Sequence, residues 1–168
     1  YSLTALIEAW GGSVINLGIA PDDPIEIKAR IEGSEEADVF VPVGGASVGD
    51  HDHMKTVVSD LGFSPIFSKV AVRPGKPTWM SKNAGRLVLG LPGNPASALV
   101  CAHLFLKPVI ARLLGGTDLH TTVPANLLAP LSADDIKDRS VANQLIDHRL
   151  ADISDGFASL LDLEQPVV

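Results

Sequence analysis

Three short segments combine residue types able to do chemistry in unusual patterns: "GGASVGDHD" at 44–52, "KVAVRPGKPT" at 69–78 and "GLPGNPAS" at 90–97. In the first, Gly44 and Gly49 frame a G-x-x-x-x-G pattern. Asp50 stands where a nucleoside triphosphate loop would carry lysine, which disfavours that use. The glycines, with Ser47 between them, still let backbone N–H groups approach an anion at the entry to a helix. Asp50 and Asp52 would repel that anion unless a divalent cation lay between. Hard carboxylate oxygens suit Mg2+, which keeps several waters and bridges to phosphates. A turn closed by a capping aspartate would explain the same residues, and the segment alone leaves both readings open. His51-Asp52-His53 lacks a third well-spaced zinc ligand, since Cys101 is distant and patterned as core, so solvated histidines are the better reading.

The second segment sets Lys69, Arg73 and Lys76 along and beyond a strand-like run, with Pro74 and Pro77 stiffening the loop. Lys69 and Arg73, four apart, share a face if the strand is regular. Stiff cationic loops suit oxyanions, because arginine offers a planar fork and lysine a compact charge. In the third segment Asn94 and Ser97 stand at a helix start, where free N–H groups and the helix dipole attract anions. For Asn94 alone, ordinary capping explains as much.

Elements that would position these loops are readable on either side. Leu3, Leu6, Ile7 and Trp10 mark an amphipathic helix with Ser2 as its cap and Gly11-Gly12 as its stop. "SVINLGI" reads as a strand. "APDDPIEIKARIE" alternates like a strand, but an aspartate before Pro24 favours a helix, and helix is the choice. "DVFVPV" is a strand, "HMKTVVSDLG" a helix and "PIFSKVAV" a strand. "TWMS" and "RLVLGL" form a hairpin around "KNAG". The longest helix pattern runs from Asn94 to Gly115-Gly116, with Pro108 expected to kink it or to begin a new helix. His103, on this mostly apolar helix, reads as a packed residue and not as a ligand. Strands alternating with helices predict a mostly parallel sheet covered on both faces. In such sheets ligands collect at the carboxyl ends of strands, where all three loops would lie if their strands run parallel.

The 168 residues suit one domain with room for a piece of a second, and 46% apolar content supports a real core. A net charge of -7 without basic stripes argues against nucleic acid. The apolar stretch "ALVCAHLFL" is too short to cross a bilayer, and no membrane partner is expected. With one cysteine, Cys101, a reducing, cytoplasmic setting is the simple reading. Two prolines in "VPANLLAPLSAD" mark a linker, so residues 117–168 are expected to be a linker and a divergent or partial C-terminal segment.

"GGASVGDHDHMK", "VAVRPGKPTWM" and "GLPGNPASALV", in this order and with "VINLGIAPDDP" ahead of them, resemble the molybdopterin molybdenumtransferases, the family of MoeA and the gephyrin E domain. The resemblance covers residues 1–116. It implies a molybdopterin-binding-like fold, a three-layer α/β/α sandwich whose first strand is missing ahead of Tyr1. It further implies insertion of molybdate into adenylated molybdopterin with release of AMP, a divalent cation, and a homodimer in the full-length protein. Carried over by residue, Asp52, Lys69, Arg73 and Lys76 are implied to be catalytic. Gly44, Gly45, Ser47, Gly49, Pro77, Asn94 and Ser97 are implied to bind substrate, and Asp22, Asp50 and Asp52 to hold the metal. Arg73 replaces what is often lysine, which keeps the charge but changes its geometry. The related adenylyltransferases share the fold but carry a "GGTG"-type loop where this chain has "GGASVG". A non-catalytic scaffold or an inactive remnant of the same fold would carry the same resemblance.

Overall fold

A computed structural model describes residues 1–45 and 53–116. Helix α1, Ser2–Ala9, starts at Tyr1 without a side-chain cap, so Ser2 is the first helical residue and not the expected cap. Residues 13–20 join no strand among the described residues, against the strand expected for "SVINLGI". A strand needs a neighbour's carbonyls and amides. Here the Gly18 N–H donates to Asn16 Oδ1 at 2.9 Å, and Arg30 donates to the Leu17 carbonyl, so local polar contacts replace a ladder.

Helix α2, Pro24–Glu32, is the helix chosen over a strand. Asp23 Oδ1 accepts from the N–H groups of Ile25 at 2.8 Å and Glu26 at 3.2 Å, and Pro24 needs no partner in the first turn. The chain then forms strand β1, Val39–Phe40, helix α3, His53–Asp60, and strand β2, Ser64–Phe67. Strands β3, Trp79–Asn83, and β4, Arg86–Gly90, make the expected hairpin. Its two-residue turn has positive φ at both Ala84 (41°) and Gly85 (83°).

The sheet order is β1-β4-β3-β2. Only β1 and β4 are parallel, and β3 is antiparallel to both its neighbours. The sheet is therefore mixed, not mostly parallel, because one of its connections is a hairpin and not a crossover helix. Strand β2 stops at Phe67, so Lys69 and Arg73 do not share a strand face as the spacing predicted.

Alternation along the strands assigns the two faces. Ile27 and Ile31 of α2 and Val57 and Val58 of α3 pack with Trp79, Val88 and Phe63 on one face. Met80 and Leu89 point the other way and are fully buried. Phe67 pairs with Met80 and so shares that second face, where its ring lies 6.0 Å from Phe105. Phe105 belongs to the long C-terminal helical run. That run comprises α4, Pro95–Cys101, a π-helical turn, Ala102–Leu106, and α5, Lys107–Leu113. Pro108 has no N–H to donate to the carbonyl four residues back. Ahead of it the helix widens, with the Lys107 N–H donating to the Ala102 carbonyl five residues back, and a fresh α segment follows. By length and composition Pro95–Leu113 could cross a membrane, but 44% of it is buried inside this fold. His103 is exposed on this run, not packed inside, and its ring meets Trp10 of α1 edge-on at 5.0 Å.

Backbone proximity divides the chain into two units: one holds every element above, and Ala71–Arg73 belong to the second. The segment expected as linker and C-terminal piece, 117–168, lies outside the described residues.

Candidate functional site

Strand directions decide where the loops fall. β1 is parallel to β4, β4 is antiparallel to β3, and β3 is antiparallel to β2, so β1, β2 and β4 all point one way. Their carboxyl ends share one rim of the sheet, and β3 begins there, with Trp79 opposite Gly90. The glycine segment after β1, the loop between β2 and β3, and the loop after β4 therefore all leave from the same rim. The hairpin, which made the outcome open from sequence, reverses β3 but keeps its leading loop at that end.

Two of the loops touch through backbone alone. Val43 bridges Leu91, the Gly44 N–H donates to the Leu91 carbonyl at 3.0 Å, and the Leu91 N–H donates to the Pro42 carbonyl at 2.9 Å. A Cβ on Gly93 would sit 3.3 Å from the Gly44 Cα, and one on Gly44 3.6 Å from the Gly93 Cα. Gly44 also holds φ at 85° and Gly45 at 73°, where side chains are disfavoured. Gly44 and Gly45 thus have a backbone reason to be glycine, whatever binds there.

Asn94 caps α4: its Oδ1 accepts from the Ser97 N–H at 3.1 Å and from the Ser97 hydroxyl at 3.3 Å. Asn94 is exposed and Ser97 half-buried. Lys76 occupies the turn Gly75–Thr78, closed by the Thr78 N–H on the Gly75 carbonyl at 2.9 Å. The Val70 N–H donates to the Lys76 carbonyl at 3.2 Å. Lys69 and Lys76 are exposed and Pro77 half-buried.

Beneath this turn Thr78 hydrogen-bonds Cys101 of α4. Burial, the larger effect, pushes the Cys101 thiol above its ordinary value of 9.0, and the bond to Thr78 opposes the rise. Ser97 is one helical turn before Cys101 on the same face, about 6 Å closer to the start of the helix. Thr78 follows Lys76 by two residues, and Ser97 precedes Cys101 by four.

Asp22 is exposed just ahead of α2. The carboxyl end of α2 is tied to the opposite end of the sheet, where Arg86, first residue of β4, donates to the carbonyls of Ser34 at 2.7 Å and Ile31 at 3.3 Å. Asp22 and Asp23 stand at the other end of that helix. Sequence reasoning missed Arg86, whose fork gathers the turn after α2. It also missed Gly90, where a Cβ would lie 2.0 Å from the Trp79 indole nitrogen. Arg73 is exposed and belongs to the second unit. Ser47, Gly49, Asp50 and Asp52 lie outside the described residues. Among the described residues no three His, Cys, Asp or Glu side chains gather into a group that could hold a metal ion.

The chain belongs to the family of probable molybdopterin binding domains, whose model matches residues 1–112. That family serves molybdenum cofactor biosynthesis, and the relatives that match here include the molybdopterin molybdenumtransferases, of which this chain corresponds to a part. The one from Haemophilus influenzae is 40% identical over 116 residues, covering 68% of this chain and 28% of that protein. The one from Nostoc is 38% identical over 120 residues, covering 69% of this chain and 27% of that protein. A solved molybdopterin biosynthesis MoeA protein from Pyrococcus horikosii superposes with a TM-score of 0.59 at 36% identity, over 68% of this chain and 29% of that one. The chain spans somewhat over a quarter of the length of these curated relatives.

Proposed function

We propose that this chain supplies the pterin and molybdate side of a molybdopterin molybdenumtransferase, which inserts molybdate into adenylated molybdopterin and releases AMP. The observation that carries the reading is the common rim, where the glycine segment, the lysine turn and the start of α4 leave one end of the sheet. Molybdate is a tetrahedral dianion. Lys69 and Lys76 offer compact positive charge, and the Ser97 hydroxyl offers a hydrogen bond; the sequence resemblance adds Arg73. Gly44, Gly45, Ser47 and Gly49 would lie against the pterin phosphate, with Pro77 and Asn94 lining the same pocket.

Asp22, Asp50 and Asp52 would hold Mg2+. The fit is testable at Asp22: its carboxylate is exposed, while the neighbouring Asp23 is engaged as a cap. A single exposed carboxylate suits a hard cation that keeps most of its waters. When bound, Mg2+ neutralises charge on the pyrophosphate linking pterin and AMP. The protein's own part is positioning and charge complementarity, with no covalent nucleophile required.

Replacing Lys76 with alanine in a full-length protein carrying this domain is expected to abolish molybdate-dependent AMP release, with an unchanged circular dichroism spectrum. AMP release at the original rate would remove Lys76 from the oxyanion site and the proposal with it.

A further inference from the structure

The turn that carries Lys76 is braced from below by Thr78, which is 0% exposed. Its Oγ1 donates to the Gly75 carbonyl at 2.7 Å, the same oxygen that accepts its N–H at 2.9 Å. The Thr78 hydroxyl also meets the Cys101 thiol of α4. Cys101 is also 0% exposed, and burial keeps it protonated. One buried hydroxyl thus touches both the Gly75 carbonyl and the Cys101 thiol. It joins α4, which carries Ser97, to the turn that carries Lys76.

A valine would fill the space of Thr78 and keep the packing, whereas a buried hydroxyl is costly unless bonded. What the hydroxyl adds is the geometry of the turn. We propose that Thr78 is a positioning residue that sets Lys76 relative to Ser97 and so tunes the affinity of the rim for a tetrahedral oxyanion. This rests on the function proposed above. It goes further by placing the control of oxyanion affinity in a buried side chain that never meets the substrate.

The test is calorimetric titration of the full-length protein with sodium molybdate, comparing wild type, Thr78→Val, Thr78→Ser and Lys76→Ala. Thr78→Val is expected to weaken binding about tenfold, the worth of one buried hydrogen bond, with Thr78→Ser restoring most of it. Wild-type affinity in Thr78→Val, or equal weakness in the serine variant, overturns the proposal. Absence of molybdate binding by wild type, or its persistence in Lys76→Ala, would instead sink the proposed function. Hydrogen exchange then judges the positioning separately. The amides of Val70 and Thr78 should exchange faster in Thr78→Val and recover in Thr78→Ser, with Val88 unchanged. Unaltered exchange at Val70 and Thr78 overturns the positioning role. Should Thr78→Val fail to fold, Cys101→Ala removes only the contact between Thr78 and the thiol. It must then speed exchange at Thr78, and unchanged exchange there overturns the proposal.

Discussion

Gly90 shows how much a single absent atom can hold in place. Trp79 lies across it from the neighbouring strand, and a Cβ there would fall 2.0 Å from the indole nitrogen and 2.2 Å from its ring. Gly90→Ala must therefore push Trp79, itself 2% exposed, into a filled core. The expected loss is about 2 kcal/mol, read from urea unfolding, with a blue- or red-shifted tryptophan emission as Trp79 is displaced. Unchanged stability would mean that the indole has room to move. Sequence alone isolated Gly44, Gly45, Lys76, Asn94 and Ser97, because glycine, charge and capping chemistry are visible in linear order. It passed over Gly90, Thr78 and Arg86. Their partners are Trp79 across the hairpin, Cys101 on α4, and Ser34 and Ile31, which lie 52 and 55 residues away from Arg86.

Among elements, the readings that held were those with a local cause. Asp23 with Pro24 decided a helix over a strand, and the gap between "TWMS" and "RLVLGL" decided a hairpin. Where an element needs a remote partner, periodicity misled. Residues 13–20 have strand-like composition but no ladder among the described residues, and β2 ends at Phe67 although apolar alternation continues to Val72. The π-helical turn ahead of Pro108 was legible only as an interruption, since the spacing does not say whether a helix bends or widens. The hairpin turn makes its own prediction. Ala84 holds a φ of 41°, which costs an L side chain roughly 1 kcal/mol and which asparagine tolerates better. Ala84→Asn is expected to raise stability by about 0.5 kcal/mol in denaturant unfolding. A loss of stability would show that the turn is not strained at that position.

For the molecule as a whole, Cys101 reports whether the layers stay together. Its thiol is pushed above 9.0 by burial, so folding favours the protonated form. The unfolded chain holds fewer protons at that sulfur above pH 9. Its contribution is thus complete below pH 9 and is lost as pH climbs through the raised folded value. Wild type should therefore lose stability in alkali more steeply than Cys101→Ala, measured as urea midpoints between pH 8 and pH 10.5. Parallel curves would show that the thiol is not sealed between β3 and α4. The alternation of strands and helices announced a covered sheet, and α2 and α3 pack on one face while Phe105 meets Phe67 on the other. The mixed strand order was hidden because linear order does not show which strands become neighbours.

The two-residue turn at Ala84 and Gly85 lies at the far end of the hairpin from the rim, five paired residues from Trp79 and Gly90. A slip of one position there would set the indole against Leu89 and turn every side chain of β3 to the wrong face. The distance between the lysine turn and the first residues of α4 is thus dictated from the opposite edge of the sheet, like the gap of a caliper set at its hinge. Changes far from any ligand can retune what the jaws will grip.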